Sequence, residues 1–285
     1  MKKILITGIG SYIGQNFFNL KKTKYEISEI DVKGESWRKN DFSLYDTVIH
    51  VAAIVHKKNV DESVYFSVNR DLAIEIAKKC KNEGVQQFIF MSTMAIFGVE
   101  KGAISSDTVP HPKGAYAISK FEAETKLVEL SSNNFVISIV RPPMVYGKGA
   151  RGNYNRLSKL IKKLPVFPTI HSVRSMIYIE NLIEFIDILI KEKLEGVFHP
   201  QNSEYVDIDN LVSNIFKVNN KKSFRIALFN PFIVLLRKKS TNVQKVFGNL
   251  YYDASTIGFP DSDFHGSKMH YAVVNFEDSI KYTES

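Results

Sequence analysis

The chain has 285 residues, 44% hydrophobic and 24% charged, which is the balance of an ordinary globular protein with a substantial core and excludes disorder as the default. Lys and Arg number 38 against 30 Asp and Glu; the formal charge of +8 favours an anionic partner, but no tandem zinc spacing, RNA-binding aromatic signature or long basic tract accompanies it, which argues against nucleic acid. The single cysteine, Cys80, excludes an intramolecular disulfide and a thiolate-rich metal site and suits a reducing, cytoplasmic setting.

The first predicted element is a short apolar strand, Lys3 to Thr7, followed by a glycine-containing turn from Gly8 to Gly14 and then a helix. That apolar run is too short for the central segment of a secretory signal. Further strands are predicted around Tyr25 to Val32, Thr47 to Val51, Gln87 to Met91 and Val136 to Val140. Between them, Val64 to Lys81 and Ala115 to Ser131 mix polar and apolar residues as helices do, so the alternation predicts an α/β fold with parallel strands under crossover helices. Ile179 to Lys191 and Val206 to Val218 are predicted helices of the later part. The apolar run Ile226 to Leu236 is broken by Asn230 and Pro231 and is too short to span a membrane. It reads as lobe core, with peripheral contact to the cytoplasmic face of a membrane as the alternative, because Arg237-Lys238-Lys239 follow it.

The turn after the first strand carries chemistry. In Thr7-Gly8-Ile9-Gly10-Ser11-Tyr12-Ile13-Gly14, small residues let the backbone approach a pyrophosphate, and the helix that follows supplies amide donors. Gly8, Gly10, Ser11, Tyr12, Ile13 and Gly14 are therefore candidate cofactor contacts, with a purely structural turn as the alternative. Asp31, closing the second strand, suits the adenine-ribose hydroxyls and favours NAD(H), while Lys33 can neutralise a 2′-phosphate and admit NADP(H). Asp41 and Phe42 offer a hydrogen bond beside an apolar face for adenine; a turn aspartate beside a core phenylalanine reads equally well. Ala52 and Ala53 can leave space for the dinucleotide at the end of the third strand, with plain packing of small residues there as the alternative.

Tyr116 and Lys120 lie one helical turn apart on one face. An ammonium near the phenol favours its ionised form and can also bind the nicotinamide ribose, so Tyr116 can serve as proton donor or acceptor. Upstream, Thr93 follows the strand Gln87 to Met91 and can bond the reacting oxygen together with Tyr116, while Ser92 sets the local backbone. No Gly-x-Ser-x-Gly nucleophile turn is present, which argues against a serine hydrolase.

In this order, the Thr-Gly turn, Asp31, Asp41-Phe42, Ile49-His50-Val51-Ala52-Ala53, Ser92-Thr93, Tyr116 to Lys120 and Arg141-Pro142-Pro143-Met144-Val145-Tyr146-Gly147 resemble the extended short-chain dehydrogenase/reductase family over nearly the whole chain. The likeness is to its nucleotide-sugar epimerases, dehydratases and 4-keto reductases, the bacterial capsule reductases above all. It implies a Rossmann-like parallel sheet with helices on both faces and a smaller C-terminal lobe. Residues 1–145 mainly form the dinucleotide-binding domain and 146–285 mainly the substrate-binding lobe, with segments returning to the sheet. The resemblance assigns Thr93, Tyr116 and Lys120 to the catalytic group and Asn69 to support of the cofactor region, although a hydrogen bond within its helix is the simpler reading of Asn69 alone.

Arg174, in Arg174-Ser175-Met176-Ile177-Tyr178, resembles the arginine that meets a nucleotide-sugar diphosphate, a role suited to its planar donors. Asn153, Arg156 and Tyr205 are further candidates to face the sugar or nucleotide, with the organisation of lobe turns as an equal alternative. The family turn reads Thr-Gly-x-x-Gly-x-x-Gly, but its middle glycine is here Ser11, a departure expected to perturb the tight turn. Met94-Ala95 stand where the family's dehydratases carry Asp-Glu, which disfavours dehydration. The resemblance thus implies NAD(P)H-dependent reduction of a nucleotide-linked 4-keto sugar, UDP-2-acetamido-2,6-dideoxy-4-hexulose, for surface polysaccharide, by a homodimer. An NAD-dependent 4-epimerase and a non-catalytic nucleotide-sugar sensor are the competing readings.

Overall fold

The computed structural model describes residues 1–55, 60–163, 166–167, 169, 172–221, 224–225 and 248–285. The apolar run from Ile226 and its basic end therefore lie outside the described residues. Among the described residues, no helix is long and apolar enough to cross a membrane.

Six strands form one parallel sheet: β1 (Lys3–Thr7), β2 (Glu26–Ile30), β3 (Thr47–His50), β4 (Gln87–Met91), β5 (Val136–Val140) and β6 (Gly196–Phe198), in the spatial order β6-β5-β4-β3-β1-β2. Alternation along each strand divides the core in two. On one face Ile4, Ile6, Ile49, Ile89 and Val140 pack with Phe17 of α1 (Tyr12–Lys21) and with Leu182, Phe185 and Ile186 of α6 (Ile179–Glu192). On the other, Leu5, Val48, Phe88, Phe90, Ile137 and Ile139 meet Ala73, Ile76 and Cys80 of α3 (Leu72–Asn82) and Ala123 and Leu127 of α4 (Gly114–Val128). Burial on both faces explains why β3 and β4 are uninterrupted runs of buried residues. Mixed α/β architecture around a parallel sheet is thus as the alternation predicts.

Several boundaries differ from expectation for identifiable reasons. Helix α1 begins at Tyr12, inside the predicted turn, because Ser11 caps it. The predicted helix from Val64 is three pieces: α2 (Glu62–Tyr65), a π-helical turn at Phe66–Asp71, and α3. Val206–Asp207 is a strand that pairs antiparallel with Val173–Arg174; helix α7 (Ile208–Val218) starts only after Asp207, whose carboxylate accepts the amides of Asp209 and Asn210. The strand predicted from Tyr25 to Val32 spans only Glu26–Ile30, and the segment after it holds a 3-10 turn at Ser36–Lys39.

In the second half, a strand at Leu250–Tyr252 pairs with Gly102–Ile104 and, through Leu250, with Arg174. The strand order reverses at β1, so chains leaving β1 and β3 diverge and open a crevice at their carboxyl ends.

Candidate functional site

At that crevice Gly8 has φ +109°, and a Cβ on it would stand 2.8 Å from the Ala52 amide nitrogen and 2.9 Å from its Cα. Glycine is required twice over, for the dihedral and for the contact. Gly10, at φ +72°, has open space where its side chain would be. The expected perturbation at Ser11 does not take the form of a distorted turn. Its extended backbone places Oγ 3.2 Å from the Gly14 amide, an ordinary N-cap bond. Gly14 packs closely enough that a Cβ would lie 2.6 Å from Ser11 Oγ and 3.0 Å from Ile6 Cγ2. The amides of Tyr12 and Ile13 begin the helix and have no partner within it. A backbone cradle with free donors at a helix start fits a pyrophosphate.

Gly8 donates to the Ile30 carbonyl at 3.0 Å, which sets Asp31 beside the cradle. Asp31 is exposed and its Oδ1 accepts the Lys33 amide at 3.0 Å; Lys33 is exposed as well. Asp41 closes a turn on Ser43, accepting from its amide at 2.9 Å and its hydroxyl at 2.6 Å. Phe42 is buried against Trp37, with the Lys79 ammonium 5.0 Å from its centroid, and it lies at the edge of the space beside Asp41. A cavity of about 170 Å³ does adjoin Asp41, bordered by Leu5, Glu29, Ile30 and Tyr45.

Asn69 sits in the π-helical turn and bonds outside its helix, correcting the local reading. Its Oδ1 accepts the Ile54 amide at 2.8 Å, and its Nδ2 donates to the Ile54 carbonyl at 3.1 Å and to Ser119 Oγ at 3.3 Å. It therefore latches the loop that carries half-buried Ala52 and Ala53 to the helix that carries Tyr116.

On the other side of the crevice, Thr93 has φ −164° and caps a 3-10 turn, Met94–Phe97, its Oγ accepting the Ala95 amide at 3.2 Å. The Thr93 hydroxyl is also hydrogen-bonded to the Tyr116 phenol. Burial raises the affinity of Tyr116 for its proton, and the Thr93 bond lowers it. Lys120 Nζ donates to the Met91 carbonyl at 2.7 Å and lies 4.4 Å from the Phe90 ring centroid. Burial brings its pKa down to about 7, with Glu124 opposing. Neighbouring Ser92 donates its amide to Val140 at 2.7 Å, while its buried hydroxyl has no partner.

Arg174 is buried, and its Nη1 donates to the Gly248 carbonyl at 2.7 Å. Desolvation lowers its pKa to about 10. Tyr205 is 37% exposed and packs on Tyr251, 5.0 Å between centroids. Arg174 and Tyr205 therefore meet on the segment 248–252. Asn153 and Arg156 are exposed on α5 (Asn153–Lys163), with no described contact to that pair. Sequence reading passed over Glu124, Ser119 and Gly98; the spacing of Glu124 four residues after Lys120 is the signal that marks it.

Residues 4–200 match the NAD dependent epimerase/dehydratase family. Over 261 residues the chain is 26% identical to UDP-glucose 4-epimerase of Vibrio cholerae, covering 81% of this chain and 77% of that one. It is 27% identical over 259 residues to N-acetyl-alpha-D-glucosaminyl-diphospho-ditrans,octacis-undecaprenol 4-epimerase of Escherichia coli O157:H7, covering 87% and 78%. Among solved structures, UDP-glucuronic acid 4-epimerase from Bacillus cereus in complex with NAD superposes with a TM-score of 0.73 at 21% identity, over 99% of this chain and 97% of that one.

Proposed function

We propose that this chain, which belongs to the NAD dependent epimerase/dehydratase family, reduces the 4-keto group of a nucleotide-linked sugar. The observation that carries the reading is the Thr93–Tyr116 pair: a half-buried phenol hydrogen-bonded to a threonine hydroxyl beside the buried Lys120. Reduction of a carbonyl starts from the phenol, because the developing alkoxide needs a proton.

The nicotinamide dinucleotide, when bound, supplies the hydride. The turn Gly8–Gly14 and helix α1 would hold its pyrophosphate, Asp31 its adenosine ribose, and Lys120 its nicotinamide ribose. NAD(H) is favoured over NADP(H), since Asp31 directly follows β2 and Arg38, the arginine of that segment, is engaged by Glu35 and Glu75. Tyr116 donates its proton to the substrate oxygen, and Thr93 holds that oxygen in line. Arg174, a buried guanidinium whose described bond is to a neutral carbonyl, takes the diphosphate. Both relatives named above act, by their names, on sugars carried by a diphosphate. Met94 and Ala95 beside Thr93 offer no carboxylate for dehydration; the specific substrate proposed, from the resemblance to capsule reductases, is UDP-2-acetamido-2,6-dideoxy-4-hexulose, for surface polysaccharide.

A 4-epimerase is the second reading, favoured by the names of those relatives. A panel of nucleotide-linked 4-keto sugars with NADH and NADPH decides between them. Net cofactor oxidation with an alcohol product is expected. Interconversion of two alcohol sugars without net oxidation would replace the reductase by the epimerase, and binding without product would replace both by a sensor.

A further inference from the structure

Lys120 and Glu124 stand four residues apart on α4, so their side chains share one face of the helix, and both are buried. The Glu124 carboxylate is gripped by Arg141: Nε lies 3.2 Å from Oε1 and 3.1 Å from Oε2, and Nη2 lies 2.6 Å from Oε2. The two side chains are only 3% and 12% exposed, so water does little to screen them.

Arg141 is in turn fixed from several directions. Its amide donates to the Phe198 carbonyl at 2.8 Å, and its own carbonyl accepts the Tyr252 hydroxyl at 2.9 Å. Its guanidinium lies 5.2 Å from the Phe97 ring centroid, and Nη1 is 3.4 Å from His199 Nε2. Phe97 belongs to the 3-10 turn that Thr93 opens. One ion pair thus touches the helix of Tyr116 and Lys120, the turn of Thr93, strand β6, and the strand 250–252 next to the segment that meets Arg174.

We propose that Glu124 is a positioning residue for the Lys120 amine: clamped by Arg141, it supplies the buried negative charge against which the Lys120 ammonium is held. Among the described residues, the Met91 carbonyl and the Phe90 ring meet the amine directly. His50 on β3 is kept neutral by burial, its pKa brought down to about 3, and Tyr116 lies one turn back on the same helix. Behind Glu124 stand Arg141, the buried His199, neutral for the same reason, and Tyr252. Glu124 is the acidic group that opposes the desolvation of Lys120. Arg141 grips both oxygens of that carboxylate, so where the charge sits relative to Lys120 depends on Arg141 being there.

The inference rests on the reading of Lys120 as the group at the nicotinamide ribose, but Lys120 can be followed without turnover. The full chain is prepared with 13Cε-labelled lysine, the Lys120 resonance is assigned with Lys120→Met, and its titration midpoint is read by NMR. Glu124→Gln is expected to lower the midpoint by on the order of one pH unit, the scale of a nearby buried opposite charge. Arg141→Gln is expected to lower it too, and the double variant no further than Glu124→Gln, because Arg141 acts through the carboxylate. An unmoved midpoint in Glu124→Gln overturns the proposal, and an unmoved one in Arg141→Gln alone overturns the part given to Arg141. Should Glu124→Gln fail to fold, Glu124→Asp, which withdraws the charge by one methylene, is expected to give a smaller downward shift, and no shift overturns the proposal equally. Lack of turnover on every sugar tested would sink the reductase reading while leaving this midpoint readable.

Discussion

Gly98 rests against His111 so closely that a Cβ on it would stand 1.9 Å from the His111 carbonyl oxygen. Gly98 ends the 3-10 turn opened by Thr93, and His111 lies three residues before the start of α4, so this backbone contact sets the gap between Thr93 and Tyr116. Gly98→Ala is expected to destabilise the fold by about 2–4 kcal/mol, since the neighbour that must yield is main chain. Turnover should fall by more than ~10-fold while dinucleotide affinity holds, because the displacement falls on the reacting oxygen and not on the cradle. Urea denaturation and single-turnover kinetics check the two parts; unchanged turnover would show that the contact does not set the geometry.

Tyr116→Phe keeps the ring and removes the proton. The expected result is loss of product formation by roughly 10²–10⁴-fold, with dinucleotide and nucleotide-sugar binding, measured by calorimetry, within a few-fold of wild type. Retained turnover would exclude Tyr116 from proton transfer.

Arg174→Ala should raise the KM for a diphosphate-linked sugar by ~10–100-fold, the worth of hydrogen bonds to a charged group, and leave dinucleotide affinity unaltered. Arg174→Lys should rescue only part of this, since an ammonium lacks the planar fork. Equal losses for sugar and dinucleotide would point to a general unfolding of the 248–252 segment instead.

The acid limb of stability follows from two histidines. His50 is buried between Phe88 and Phe90 with Nδ1 2.7 Å from Thr7 Oγ1, and burial brings the pKa of both His50 and His199 from the ordinary 6.5 to about 3. The unfolded chain therefore binds more protons than the folded one between those values. The contribution of the neutral rings is fully present above pH 6.5 and is lost as pH falls towards 3. The urea midpoint should decline through that window, and less steeply in His50→Gln. An identical slope in the variant would place the acid sensitivity elsewhere.

The parts that could be read from residue order are those governed by local periodicity. The run Gln87–Met91 is a strand because every one of its residues is buried, and the Tyr116–Lys120 spacing puts both side chains on one helical face. What escaped depends on partners distant in sequence. Asn69 looks like a helix-interior asparagine, and nothing nearby in the chain announces a π-helical turn that aims it at Ile54. Ser11 looks like a damaged glycine motif until the Gly14 amide is seen to need an acceptor. Phe42 was open to two readings because burial of a ring is decided by Trp37 and the α3 helix, not by the aspartate beside it. The restraint of Lys120 by Glu124 and Arg141 joins residues 120, 124 and 141, and only the first pair has a spacing to read.

The sixth strand of the sheet carries a consequence for synthesis. β6 comes from residues 196–198 and pairs with β5, which ends at Val140. Until the chain has emerged from the ribosome to that point, β5 is an open edge with unpaired amides and carbonyls, the form most prone to pair with another chain. A fragment cut near residue 145 would keep every element of the dinucleotide cradle and still expose that edge. The first half is therefore a poor candidate for separate expression, and the interval between β5 and β6 is when the nascent protein is most in need of a chaperone.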